Sequence, residues 1–390
     1  MAIDDRARPA ILASAREPDP RLETVVSLSE FEPIARDRMH PGAYDFVAGG
    51  AWAEETLADN VASWKRYRLV PRVLVDEALA NPRTTILGQP STMPVAVTPM
   101  AAMGLAHPEG EVAVARAAAA AGIPMILSTV SSRSIEDVAA AAPDAVRFFQ
   151  LYTQRSPTRG RELVERALGC GYRAIVLTVD LPVLGYRARD LRNEWKLDVP
   201  LGNLDEPPDY SAAPPAIGPD PAVDPEAAGA GRSGWDVIEE VRSWSDLPLV
   251  VKGILSPADA LEAVARGVDG IGVSNHGARQ LDRVPAPIDV LEGIAAAVAG
   301  RAELWVDGGV RSGLDVPIAL ALGARSVLIG RPIYWALAAG GEAGIEKALA
   351  ILREELTLAM TLLGAPSADR VERGHIMAAS DGGRPYPLVP

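Results

Sequence analysis

The stretch Val273-Ser274-Asn275-His276-Gly277-Ala278-Arg279-Gln280-Leu281-Asp282 sets a histidine and an arginine three residues apart, directly after a short apolar run. An imidazole can take up a proton near neutral pH, and a guanidinium grips a carboxylate through two parallel hydrogen bonds. Side by side they suit oxidation at the carbon next to a carboxylate, as in a 2-hydroxy acid, where a proton and two electrons must leave. The chain has four histidines (His40, His107, His276, His375), and the one at the end of an apolar strand is the candidate base. The alternative is a loop histidine that only satisfies hydrogen bonds.

Such a pair needs a rigid support. Eight Val/Ile/Leu-rich runs recur from Pro94 onward, at Val95–Thr98, Met125–Thr129, Arg147–Tyr152, Ala174–Asp180, Leu249–Gly253, Gly270–Ser274, Leu304–Asp307 and Ser326–Gly330. Most are followed by an Ala-rich segment with helical spacing, the pattern of parallel strands joined by crossover helices. Ser256-Pro257-Ala258-Asp259 and Ser134-Ile135-Glu136-Asp137 read as helix starts, and Gly122, Gly267 and Gly323 as stops. An open doubly wound sheet shares this pattern. However, Ser128, Gln150, Tyr152, Thr178, Asp180, Lys252, His276, Asp307 and Arg331 stand at the ends of nearly all the runs, and a barrel would gather them onto one face. The expected class is therefore α/β, a (β/α)8 TIM barrel forming a single domain over residues 1–390.

Two regions fall outside the repeat. Residues 1–90 form an N-terminal extension, expected to be helical from Ser29 to Ala48 and to bring Tyr44-Asp45-Phe46 toward the barrel mouth. Residues 200–234, rich in Pro, Ala and Asp, lie after the fourth strand and read as a mobile loop insertion beside the site, or as a plain disordered one. In 390 residues a net charge of −13 opposes nucleic-acid and anionic-membrane surfaces and favours a small-molecule partner. The lone Cys170 allows no internal disulfide. Met1–Glu17 has no apolar signal core, and the apolar stretch Val112–Val130 is broken by Arg116, Gly122 and Pro124. A cytoplasmic setting, no membrane partner and no metal site are expected.

With these residues in view, the chain resembles the FMN-dependent 2-hydroxy-acid oxidases and dehydrogenases, the family of glycolate oxidase, lactate oxidase, mandelate dehydrogenase and hydroxymandelate oxidase. The likeness runs from about Phe31 to His375 and rests on Ser274–Gln280. It is supported by His107-Pro108-Glu109-Gly110-Glu111, Phe149-Gln150-Leu151-Tyr152, Leu177-Thr178-Val179-Asp180 and Asp307-Gly308-Gly309-Val310-Arg311. Gly185–Asn193 looks closest to the mandelate-type members. The resemblance implies FMN, with Pro99, Met100, Ala101, Ser128, Gln150, Thr178, Lys252, Ser274 and Asp307 around its ring and ribityl chain. Gly308, Gly309, Arg311, Gly330 and Arg331 would hold its phosphate, where glycines let backbone N–H groups approach an anion. His276 is implied as base with Asp180 as its partner, Arg279 and Arg187 as carboxylate anchors, and Tyr152 as a hydrogen-bond donor to substrate.

Two positions depart from the family pattern. Phe46 stands where many members have tyrosine, and Val130 where glycolate oxidase has tryptophan. Together they imply a roomier, more apolar pocket, suited to an aromatic or larger aliphatic (S)-2-hydroxy acid. Ala101 tips the reading toward an oxidase that passes electrons to O2 and releases H2O2. A dehydrogenase with another acceptor, a different FMN-barrel enzyme and a non-catalytic barrel are the alternatives. Family members are commonly homotetramers, and the same is expected here.

Overall fold

All eight apolar runs are strands. The computed structural model describes residues 17–75, 79–152, 157–197, 199–204 and 234–379. The strands are β1 (Val95–Val97), β2 (Met125–Ser128), β3 (Arg147–Tyr152), β4 (Ile175–Thr178), β5 (Leu249–Ile254), β6 (Gly270–Val273), β7 (Glu303–Val306) and β8 (Ser326–Ile329). Each pairs in parallel with its successor and β8 closes on β1, which completes a barrel. Continuous apolar runs suit strands covered on both faces, with helices outside and side chains packed within. The helix signals hold: Ser134 and Ser256 accept from Asp137 N and Asp259 N, and Gly122 ends the helix Glu111–Ala121 in the left-handed conformation. A (β/α)8 barrel it is, and not an open sheet.

The period-two alternation of strands explains where the polar groups go. Ile126, Phe148, Val176, Val250 and Trp305 pack with one another in a cluster, with Phe148 and Trp305 stacked at 5.8 Å. Two residues further along the same strands come Ser128, Gln150, Thr178, Lys252 and Asp307. One end of the barrel is thus filled with apolar side chains and closed by the hairpin Thr84–Ile86/Gln89–Ser91, whose turn residue Leu87 donates to Glu303. The other, carboxyl end carries the polar ring.

The N-terminal extension differs from expectation in one respect. Instead of one helix from Ser29 to Ala48 there are two, α1 (Phe31–Arg38) and α2 (Pro41–Ala48), separated by extended Met39 and His40. Pro41 has no N–H to continue α1 and pushes His40 out of the helical region, so the chain turns there. A third helix, α3 (Glu55–Ala62), follows. Residues 200–204, at the start of the expected loop, are docked. Asn203 is buried, accepting from Ile135 N and donating to Ser131 Oγ. The rest of that expected insertion, residues 205–233, lies outside the described residues.

Candidate active site

At the carboxyl end of the barrel lies a cavity of about 1100 Å³, open mouth included. Its wall includes Tyr152, Thr178, Lys252, His276, Arg279, Arg187, Asp307 and Phe46. Pro99, Met100, Ala101, Gly308, Gly309, Arg311, Gly330 and Arg331 complete much of the remainder. Of the other expected residues, Ser128, Gln150 and Ser274 are buried just beneath it, Asp180 stands behind His276, and Val130 is buried off the wall.

His276 sits in the loop after β6, where it, Gly277 and Ala278 all take left-handed backbone angles (φ 59°, 62° and 63°). Two non-glycine residues in that region are strained, and the surroundings must hold them. Asn275 does so: its Oδ1 accepts from Ala278 N (3.0 Å) and from Asn60 Nδ2 (2.9 Å) on α3, and its Nδ2 returns a bond to Asn60 Oδ1 (2.7 Å). Ser274 Oγ accepts from His276 N at 3.1 Å and from Lys252 Nζ at 2.7 Å. The strained loop thereby turns the imidazole toward the cavity.

His276 Nδ1 lies 2.7 Å from Asp180 Oδ1. Burial opposes ionisation of Asp180, but His276 and Lys252 more than offset it and hold its carboxyl below the usual range. An ionised Asp180 can only accept, so Nδ1 carries the proton and Nε2 is left as the basic nitrogen. Asp180 can approach because of Gly253. A Cβ there would lie 2.6 Å from Asp180 Cβ, its φ is 115°, and the register between β5 and β6 shifts at this point. Nothing in the local sequence distinguishes Gly253 from a strand's last residue.

Lys252 is buried, with Asp307 Oδ2 2.9 Å from its ammonium. Burial disfavours the charge, yet the carboxylates of Asp307 and Asp180 prevail and raise its pKa. Gly272 gives the stem its space, since a Cβ would be 3.0 Å from Lys252 Cγ.

Four guanidiniums, those of Arg187, Arg279, Arg311 and Arg331, line the same cavity. Arg331 donates to the carbonyls of Val47, Gly49 and Gly277 at 2.9–3.0 Å, and Arg279 donates to Gly49 at 2.8 Å. Among the described residues no carboxylate forms an ion pair with either. Burial, together with Arg187 and Arg331, pushes the Arg279 pKa well below its ordinary range. Burial and Arg311 bring Arg331 down to about 10. Arg279 also lies over the Phe46 ring, 4.9 Å from its centroid. Half-buried cations met mainly by carbonyl groups call for anions from outside the chain.

The residues present fit FMN. Gln150 Nε2 and Asp307 Oδ1 are buried polar atoms with no partner among the described residues, a donor and an acceptor beneath the cavity. Arg311 and Arg331 stand beside Gly308, Gly309 and Gly330, where a helix starts at Arg331 and runs to a kink at Gly340 and Gly341, an arrangement suited to a phosphate. The glycines have a second reason to be there. Trp64 Nε1 donates to Gly308 O at 2.9 Å, and a Cβ on Gly309 would fall 1.8 Å from Asn60 O, so α3 packs directly on this turn. Sequence reading missed Asn60 and also Leu181, Leu184 and Tyr334 on the wall. Asn60 is distant in sequence from its partner, and the other three carry no local signal of a site.

Comparison with known proteins points to the same cofactor. A family profile described as FMN-dependent dehydrogenase matches residues 35–378. The mouse protein 2-hydroxyacid oxidase 1 is 44% identical over 362 residues, covering 90% of this chain and 96% of its own. An L-lactate oxidase from Nostoc is 44% identical over 357 residues, covering 90% and 98%. Among solved structures, a mandelate oxidase with (S)-2-phenylpropionate superposes with a TM-score of 0.81 at 43% identity, covering 90% of this chain and 97% of that one. The same enzyme type with benzoyl-formic acid gives the same TM-score and identity.

Proposed function

Because the chain belongs to the FMN-dependent dehydrogenase family, we propose that it oxidises an (S)-2-hydroxy acid of aromatic or larger aliphatic type to the 2-oxo acid, with O2 as acceptor and H2O2 as second product. It is an FMN-dependent 2-hydroxy-acid oxidase. The role of each residue is carried by one observation, that the Asp180–His276 pair opens on the same cavity wall as Arg279, and the apolar lining from Phe46, Met100, Leu181 and Leu184 supports a mandelate-like substituent.

FMN supplies the electron sink for the two electrons that leave the substrate carbon. The rest belongs to the chain. Arg279 and Arg187 hold the substrate carboxylate, which fixes C2 and its hydroxyl relative to His276. His276 Nε2 takes the proton lost as the alcohol becomes a ketone, and Asp180 stabilises the imidazolium that results. Tyr152, whose ring lies 6.4 Å from that of His276, donates a hydrogen bond to the substrate oxygen. Lys252, with Asp307 beside it, would hold positive charge against the bound flavin, and Gln150, Ser128, Thr178 and Ser274 would serve its polar rim. Arg311, Arg331 and the adjoining glycines hold the phosphate. Phe46, Met100, Leu181 and Leu184 supply apolar wall for a substituent larger than a methyl group. The N-terminal extension supplies Phe46 and Val47 to this wall, which supports treating the chain as one FMN-binding domain.

No described helix is long and apolar enough to cross a membrane. The proposal includes a cytoplasmic setting, supported by the lone Cys170, and a homotetramer, supported by exposed Leu74, Leu79, Leu358 and Leu362. Cell fractionation and sedimentation test these two points.

The deciding experiment is anaerobic mixing of the holoenzyme with glycolate, lactate, mandelate and longer 2-hydroxy acids while the visible flavin band is followed, then admission of air. Bleaching by mandelate-like acids with fast recovery supports the reading. Slow recovery points instead to a dehydrogenase, bleaching by glycolate or lactate alone overturns the finer substrate reading, and absence of bleaching by every acid overturns 2-hydroxy-acid oxidation itself.

A further inference from the structure

Gln280 follows Arg279 in sequence but is not part of the cavity wall. Its amide is fully used. Oε1 accepts from Gly185 N at 3.2 Å and from Arg187 Nη2 at 3.4 Å, and Nε2 donates to Asp180 O at 3.0 Å and Val183 O at 2.7 Å. An amide has two donors and two acceptor sites, and all four are spent here on one loop. That loop begins at Asp180, the partner of His276, and ends at Arg187 on the cavity wall.

The segment between these ends has no regular backbone hydrogen bonding of its own, and Val183 and Tyr186 on it are exposed. Its position is set by cross-links. Gly185 is pressed so closely to the His276–Asp282 loop that a Cβ would lie 2.5 Å from the carbonyls of Arg279 and Gln280, and Arg187 Nε donates to Arg279 O at 3.3 Å. We propose that Gln280 is a positioning residue for the oxidation, a single amide that holds Asp180 and Arg187 in one frame. The carboxylate that orients His276 and the anchor for the substrate carboxylate then keep their separation. This rests on the roles given above to Asp180 and Arg187. A displacement of about 1 Å in such a frame is enough to slow a reaction roughly a hundredfold.

The test uses Gln280→Met holoenzyme, of similar length and without the amide, beside Asp180→Asn and Arg187→Lys. Three quantities are read: the Kd of phenylacetate, a carboxylate with no hydroxyl to oxidise, from the perturbed flavin spectrum; the anaerobic rate of flavin reduction by the best acid of the panel; and FMN content with Tm. Gln280→Met is expected to bind phenylacetate about tenfold more weakly and to be reduced about 10- to 100-fold more slowly per bound flavin. Its effect on Kd in combination with Arg187→Lys is expected to be smaller than the product of the two single effects. Changes within about twofold in both quantities, while the other two variants show losses, overturn the proposal. So does a fall confined to Tm and FMN content. If Asp180→Asn and Arg187→Lys are themselves without effect, the roles assigned to those residues fail, and the proposal fails with them. Should Gln280→Met not fold, Gln280→Glu keeps the acceptor but not the donor to Asp180 and Val183. Slower reduction in that variant supports the proposal and unchanged reduction overturns it.

Discussion

Asp180→Asn removes one negative charge and almost no volume, which makes it the cleanest probe of the His276 pair. The carboxylate oxygen is 2.7 Å from Nδ1, so the centres of charge in an imidazolium–carboxylate pair are about 4 Å apart. At an effective dielectric of about 20 that attraction is about 4 kcal/mol, equivalent to roughly a thousandfold in rate if it is expressed when His276 takes up its proton. Lys252 works in the same direction, because loss of Asp180 leaves that buried ammonium with less counter-charge and adds repulsion toward a protonated His276. Partial recovery is available, since the new amide oxygen can still accept from Nδ1. The expected result is flavin reduction slowed about 10²- to 10⁴-fold, with FMN content unchanged. Anaerobic stopped-flow at saturating substrate, normalised to bound flavin, reads the number. A change of less than about threefold in a fully loaded variant would refute the claim that Asp180 stabilises a charge formed on His276.

His276→Gln should leave FMN bound and nearly stop flavin reduction, and an unchanged reduction rate would remove His276 as the base. Arg279→Lys keeps the charge but not the planar fork, so steady-state kinetics should show mainly a raised KM with a smaller loss of kcat. Gly253→Ala introduces a methyl group 2.6 Å from Asp180 at a φ of 115°; flavin reduction should slow at least tenfold, with a lower Tm. Asp315, half-buried and accepting from Arg311 N and Ser312 N, has its pKa raised to about 6 by desolvation. The folded state therefore prefers the protonated form, so this group's contribution is fully present below pH 3.8 and is lost as pH rises through about 6. The Tm of the wild type relative to Asp315→Asn should fall across that window and then level off, whereas a pH-independent difference would contradict it.

The barrel was legible because parallel strands covered on both faces leave uninterrupted Val/Ile/Leu runs, and each run gave its strand to within a residue or two. The polar ring followed from the same runs, since Gln150, Thr178 and Lys252 sit two residues beyond inward-facing apolar neighbours. The break between α1 and α2 is also written in the chain, in Pro41, although the helical spacing runs on across it. Other parts left no local trace. The reciprocal Asn60–Asn275 amide pair joins residues 215 positions apart, Gln280 reaches back about a hundred positions to Asp180, and Gly253 matters only through a neighbour on another strand. Such pairings are set by closure of the barrel, which brings together residues that no short window of sequence contains.

The carbonyls of Val47 and Gly49, at the end of α2, receive both Arg279 and Arg331. The last peptides of a helix carry partial negative charge, roughly half a unit in sum, and they cannot be protonated. A carboxylate in their place would neutralise the two guanidiniums more fully, but it would compete with any incoming carboxylate or phosphate and would let go in acid. Peptide dipoles do neither. They lower the cost of burying two cations by an amount that is the same at every pH, and they leave enough positive potential for anions supplied from outside. The end of α2 thus acts as a fixed electrostatic bias on the barrel, and a barrel without that helix would keep its side chains but lose the setting of its field.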